Sequence, residues 1–119
     1  MSLVGNSHGT QICVHTEKSL KVLDSSQGYR VRWEYLKQAV DKIIHAQASV
    51  KPDGTLGLVT VSAHNYVEVW DFKESEGGPT LSKRQFCTEE CILYSADYNE
   101  ETQLVAAGTV FRTVLIWSL

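Results

Sequence analysis

VTVSAHNYVEVWDF, residues Val59 to Phe72, places apolar side chains at alternate positions on both sides of a polar turn, Ala63-His64-Asn65, and ends on Trp70-Asp71. Alternation with period two is the pattern of a half-buried β-strand, so the segment reads as a hairpin. Its second half recurs in both directions along the chain. Lys18 to Asp24 reads KSLKVLD, Asn65 to Asp71 reads NYVEVWD, and Arg112 to Ser118 reads RTVLIWS. Both steps, from 18 to 65 and from 65 to 112, are 47 residues.

The repeat carries a packing rule. Leu20 and Val22, then Val67 and Val69, then Val114 and Ile116 occupy one face of the repeated strand, and all six are aliphatic. Leu23, Trp70 and Trp117 occupy the other face. A strand apolar on both faces suits a sheet held between neighbouring sheets, not one with a wet side. A β-rich unit of this length closing on Trp-Asp is the signature of a WD-type propeller blade. The expected fold is therefore all-β, part of a WD40-type β-propeller, with Leu23, Asp24, Trp70, Asp71 and Trp117 as repeat markers.

Working outward, Thr10–His15 and Ser19–Leu23 alternate as strands, and Asp24–Gly28 (DSSQG) is a turn cluster. Tyr29, Val31, Trp33 and Tyr35 alternate against Arg30, Arg32 and Glu34, as in an outer strand with a charged solvent side. Trp33, Leu36, Val40 and Ile43 or Ile44 also fit one face of a short helix across Glu34–Lys42, which competes with that strand. Strands are expected at Ile43–Val50 and Leu56–Ser62, joined by a Pro52-Asp53-Gly54 turn. Further strands follow at Tyr66–Asp71, Leu81–Cys87, Cys91–Ala96, Gln103–Ala107 and Thr113–Trp117, with Lys73–Thr80 the most loop-like segment. A strict 47-residue shift gives one full blade, at about 43–87, flanked by incomplete blades at about 10–36 and 91–118. The first blade would lack its inner strand and the third its outer strand. Blades need neighbours to bury their faces, so the chain is expected to be a piece of a longer propeller protein or a truncated product of its gene.

Composition excludes several classes. The 119 residues are 43% hydrophobic with a net charge of −3, enough apolar content for a core and no basic excess for nucleic acid. No apolar run is long enough to span a membrane, and the first residues do not read as a secretory signal. Three cysteines, Cys13, Cys87 and Cys91, suggest a reducing cytosolic or nuclear setting, of which a cytoplasmic location is expected. Cys87-x-x-x-Cys91 has zinc-ligand spacing but no second pair; Cys13 and the scattered His8, His15, His45 and His64 do not complete it, so two buried thiols are the simpler reading. Gly77-Gly78-Pro79 is a linker, because no Lys-Ser/Thr follows to open a phosphate-binding helix. Arg30, Arg32, Lys83 and Arg84 fall on the two outer strands and could contact RNA phosphates or a partner, or simply form a solvated edge.

Two stretches are more specific than a repeat: Ala63–Asp71 and Phe86–Trp117. Cys87-Thr88-Glu89-Glu90-Cys91, then Leu104-Val105-Ala106-Ala107-Gly108-Thr109-Val110, then Val114-Leu115-Ile116-Trp117, together with His64-Asn65 before an apolar strand, resemble the N-terminal propeller of the WD repeat-containing protein 6 family. That resemblance implies a non-catalytic scaffold. It would partner an FtsJ-like methyltransferase in 2′-O-methylation of the tRNA wobble nucleotide, contacting tRNA through the complex. It would bind no cofactor, metal or small-molecule substrate itself, because S-adenosylmethionine would sit on the partner. The alternative is a generic WD adaptor in endosomal recycling without an RNA role. Many WD blades carry an Asp six residues before the Trp, in a hydrogen-bonded tetrad with a Trp, a Ser or Thr and a His. Here His64 and Phe111 take that place, so blades held by packing rather than by the polar tetrad are expected, with no nucleophile turn around Ser62.

Overall fold

The computed structural model describes residues 2–6, 9–36, 41–50, 56–73, 78–86 and 92–119. These form eleven strands: β1 (Ser2–Asn6), β2 (Gly9–His15), β3 (Ser19–Asp24), β4 (Arg30–Leu36), β5 (Ile43–Val50), β6 (Leu56–Ser62), β7 (Tyr66–Lys73), β8 (Gly78–Phe86), β9 (Leu93–Asn99), β10 (Leu104–Thr109) and β11 (Val114–Ser118). All pairings are antiparallel meanders, in the orders β1-β2-β3-β4, β5-β6-β7-β8 and β9-β10-β11. We call these sheets 1, 2 and 3, and the face of each that looks toward the next sheet its front.

The 47-residue spacing belongs to the third strand of each sheet. One rung across sheet 1 is Ser2, Cys13 and Val22; the matching rungs are Gln47, Val59 and Val69, then Asp97, Ala106 and Ile116. Third-strand positions step by 47 and 47, second-strand positions by 46 and 47, and inner-strand positions by 45 and 50. Hairpin length, strand and loop together, absorbs the difference: the first two residues of these rungs lie 11, 12 and 9 positions apart in the chain. The expectation that the first blade lacks an inner strand is therefore corrected. β1 supplies it, shorter than β5 and out of step with a strict shift, so sheet 1 starts at Ser2 and two sheets have four strands.

Stacking buries two cores. The front of sheet 1 (Cys13, Leu20, Val22) packs on the back of sheet 2 (Ile43, Ala46, Ala48, Leu58), with Trp33, Tyr35 and Trp70 at its margin. The front of sheet 2 (Val59, Val61, Val67) packs on the back of sheet 3 (Leu93, Tyr98, Val105, Ala107), with Val69, Leu115 and Trp117 beside it. The two-faced apolar strand thus does what its pattern requires, in the middle sheet. The third copy departs from it: Val114 is 70% and Ile116 68% exposed, because the front of sheet 3 has no sheet against it.

The outer strand of sheet 1 also departs from simple alternation. Val22 pairs with Trp33 but Leu23 pairs with Val31, a bulge that leaves Arg32 opposite no residue of its own. A bulge reverses which face later side chains take. Trp33 and Tyr35 therefore turn into the core, stacked 5.9 Å apart and each against Trp70, at 6.1 and 5.3 Å. Val31 lies on the other face and Tyr29 is exposed. The same bulge recurs 47 residues later, between Val69 and Trp70. The competing helix across 34–42 is not formed at its start, since β4 continues to Leu36 and residues 37–40 lie outside the described set. The expected 51–55 turn, Cys87 and Cys91 also lie outside it; Cys13 is buried and in no disulfide.

Candidate functional site

At one end of the stack, the turns between second and third strands meet the entries to the inner strands. Ile43 N donates to Glu17 O in the turn of sheet 1, and Leu93 N donates to Ala63 O in the turn of sheet 2, both at 2.8 Å. Within sheets 2 and 3, Ala63 N donates to Lys42 O and Val110 N donates to Ile92 O. The same pair of bonds thus joins sheet 1 to sheet 2 and sheet 2 to sheet 3. It fixes the turns into one continuous rim, the surface on which a propeller of this kind presents its loops.

Asp41 is the organising side chain of that rim. It is 6% exposed. Its Oδ1 accepts from the backbone of Lys42 at 2.8 Å and of His64 at 2.9 Å, and lies 3.9 Å from His64 Nδ1. Its backbone oxygen accepts from Lys18 Nζ at 2.8 Å, and Lys42 Nζ pairs with Glu17 at 3.2 Å. A carboxylate that accepts two backbone N–H groups is well stabilised despite burial. Asp41 and Lys42 belong to sheet 2, and Lys18 and Glu17 to the turn of sheet 1, so the pair of lysines sews the two sheets together.

This arrangement corrects the expectation that packing alone holds the blade. Trp70 Nε1 donates to Thr60 Oγ1 at 3.4 Å, which keeps the Trp–Thr half of the polar tetrad. In place of a His–Asp side-chain bond, Asp41 before the inner strand accepts from the backbone N of His64 in the turn, with the two side chains 3.9 Å apart. Asp41 was not singled out from the sequence. The signal was available, because a His in place of Asp invites a search for an Asp where the His would have been. The turns themselves repeat chemically. Ser62 Oγ accepts from Tyr66 N, and Thr109 Oγ1 accepts from Thr113 N, with Asn65 (φ 79°) and Arg112 (φ 60°) both left-handed and 47 residues apart. Ser62 is thereby a turn residue. In sheet 3, Ala107 stands at the Thr60 position, and Trp117 Nε1 is buried with no hydrogen-bond partner among the described residues.

The four basic candidates are all exposed. Arg30 lies across from Asp24, and Arg32 is the bulged residue of β4. Lys83 lies across from Val69 on β8. Arg84 is occupied, with its guanidinium 4.1 Å from the Tyr66 ring centroid and Nε 3.9 Å from Glu68, which is 8% exposed. The remaining markers are structural: Asp24 caps the 3-10 turn by accepting from Ser26 N and Oγ, Leu23 and Trp70 hold equivalent sheet positions, and Asp71 pairs between Gly57 and Thr80. Burial lowers the His15 pKa, and burial raises that of Tyr98. No helix among the described residues is long and apolar enough to cross a membrane.

No protein-family model matches this chain, and no curated protein matches it. Solved structures do. The chain is similar to BBS1N in its complex with ARL6DN, at 12% identity and TM-score 0.60 over 97% of this chain and 35% of that one. It is similar to a chain of the Mitotic Checkpoint Complex, at 8% identity and TM-score 0.61 over 99% of this chain and 35% of that one. It is also similar to the C-terminal WD40 domain of Sif2, at 10% identity and TM-score 0.58 over 96% of this chain and 32% of that one. Identities this low speak for the fold alone, and the chain spans about a third of the length of each structure. Eleven strands in three stacked meanders, two buried inter-sheet cores and these likenesses make the fold that of a portion of a WD40-type β-propeller.

Proposed function

We propose that this chain is a non-catalytic interaction module whose propeller surface holds partner macromolecules. The observation that supports this reading is the rim, where buried polar groups are spent on joining turns to inner strands and sheets to each other. Two similar structures are themselves complexes, one of BBS1N with ARL6DN and one a checkpoint assembly, which favours a protein-binding role. The finer reading rests on the residues that resemble the WD repeat-containing protein 6 family. In it, the chain acts in the cytoplasm beside an FtsJ-like methyltransferase and positions tRNA for wobble 2′-O-methylation, while the partner binds S-adenosylmethionine. In this reading the exposed Arg30, Arg32, Lys83 and Arg84 of the two outer strands are the candidate phosphate contacts. The test is nucleoside mass spectrometry of tRNA from cells lacking the gene, alongside capture of the methyltransferase on the tagged protein. Loss of wobble ribose methylation with capture of the enzyme is the expected result. Unchanged methylation refutes the tRNA role, and a cargo-recycling defect in the same cells would replace it with the trafficking adaptor.

A further inference from the structure

We infer, on the interaction-module reading, that Phe111, Ile92 and Arg112 form a docking point on the rim for an acidic, aliphatic segment of a partner protein. An apolar side chain of the partner packs on Phe111 and Ile92, and a neighbouring carboxylate pairs with Arg112. Phe111 is 71% and Ile92 48% exposed. Val110 N donates to Ile92 O at 3.1 Å, which holds the turn that carries Phe111 against Ile92. Arg112 is exposed and makes no ion pair among the described residues. The turn keeps its shape without these side chains. Phe111 N and Thr113 N both donate to Thr109 Oγ1, at 3.2 and 3.4 Å, and Arg112 N donates to Thr109 O at 3.2 Å. Arg112 takes the left-handed conformation that Asn65 takes in sheet 2. A backbone fixed in this way has little freedom left to lose on binding.

A further sheet packed against sheet 3 would not hide this point. Glu17 and His64 hold the place of Phe111 in sheets 1 and 2. Both turns already have the entry of a following sheet bonded to them, yet the two side chains stay 67% and 52% exposed. The side chain of Lys42, which holds the place of Ile92, stays 52% exposed. Chemistry selects the partner class. Lys18 Nζ donates to Asp41 O and Lys42 Nζ pairs with Glu17, so of these three rim cations Arg112 is the one left for an outside acceptor. Single-stranded RNA calls for a basic groove that follows several phosphates. One guanidinium beside an aromatic and an aliphatic side chain suits instead a carboxylate beside an aliphatic side chain.

The experiment pans random peptides displayed on phage against the immobilised 119-residue chain, after clearing the library on the Phe111→Ser variant. Clearing removes peptides that bind the open sheet faces. Selected peptides are synthesised and their affinities measured by fluorescence polarisation. Both Phe111→Ser and Arg112→Asn change exposed side chains, and asparagine accepts the left-handed backbone, so each variant should keep the parent's far-ultraviolet circular dichroism. The expected consensus sets Asp or Glu beside Leu, Ile or Val. Its affinity should fall at least about tenfold on Phe111→Ser. Replacing the peptide carboxylate by its amide should weaken binding to the wild type and leave binding to Arg112→Asn unchanged. No enrichment, a consensus without a carboxylate, or equal loss on amidation in both proteins overturns the inference. Single-stranded oligouridine that binds the wild type more tightly than the selected peptides, and loses that affinity on Phe111→Ser, also overturns it and assigns the point to nucleic acid. Absence of enrichment with methyltransferase capture intact refutes the docking point alone; absence of both refutes the interaction module too.

Discussion

Ala107→Ser should stabilise this protein, an unusual direction for a core substitution. Trp70 and Trp117 occupy the same position in sheets 2 and 3, and only the first has a partner for its indole N–H, Thr60 Oγ1 at 3.4 Å. Ala107 is the residue equivalent to Thr60, 2% exposed and against Trp117. A buried donor left without an acceptor costs about 1–3 kcal/mol, and a net hydrogen bond contributes about 0.5–1.5 kcal/mol. Serine adds one heavy atom, and its hydroxyl desolvation and crowding subtract from that gain. The net expectation is roughly 1 kcal/mol of added stability, or about 4 °C in Tm for a domain of this size. Urea unfolding followed by tryptophan fluorescence measures it, at a protein concentration where assembly state is held constant. The control is a double-mutant cycle with Trp117→Phe, in which the serine should give no gain, so that the coupling is about 1 kcal/mol. A gain of equal size in the Phe background, or destabilisation by serine with Trp117 present, would refute the assignment of the orphaned indole as the strained element of sheet 3.

Three further outcomes follow from other contacts. Asp41→Ala removes the acceptor for His64 N and Lys42 N, and thermal denaturation should show a loss of about 2–3 kcal/mol, with Asp41→Asn milder because it keeps one carbonyl acceptor. Leu58→Ala, at a fully buried position, should cost about 2–5 kcal/mol in urea unfolding, while Leu104→Ala, on the open front of sheet 3, should cost far less in the monomer. Burial disfavours the charged form of His15 and holds its pKa below the ordinary histidine value of 6.5. Between the lowered folded-state pKa and 6.5 the unfolded chain binds more protons, so stability should fall as pH drops below about 6.5, and His15→Gln should flatten that part of the pH profile.

The repeat was legible because the third strand of each blade is the one whose residues are constrained on both sides. Val69 and Trp70 face a sheet on either side, Val22 and Trp117 face one each, and the uncovered Ile116 and Leu23 keep the same residue class, so spacing and class persist together. Inner strands escaped the same reading. Their position depends on the length of the first hairpin, strand and loop together, which differs in all three sheets, so β1 fell outside a strict period. The bulge at Arg32 was equally hidden, since the local sequence Tyr29–Tyr35 alternates without interruption.

Alternation, β-branched content and a 47-residue recurrence are local or periodic properties, and they sufficed for the fold class, the third-strand packing faces and most strand positions. The side chain that organises the rim was not accessible in that way. Asp41 lies 23 residues from both Lys18 and His64, and its role arises from two turns and an inner-strand entry meeting at one end of the stack. The exposure of Val114 and Ile116 had the same origin: their residue type says that they belong in an interface, and whether a sheet covers them is a fact about neighbours in space. Hydrophobic pattern records what a position is suited to; burial depends on which surfaces the folded chain actually brings together.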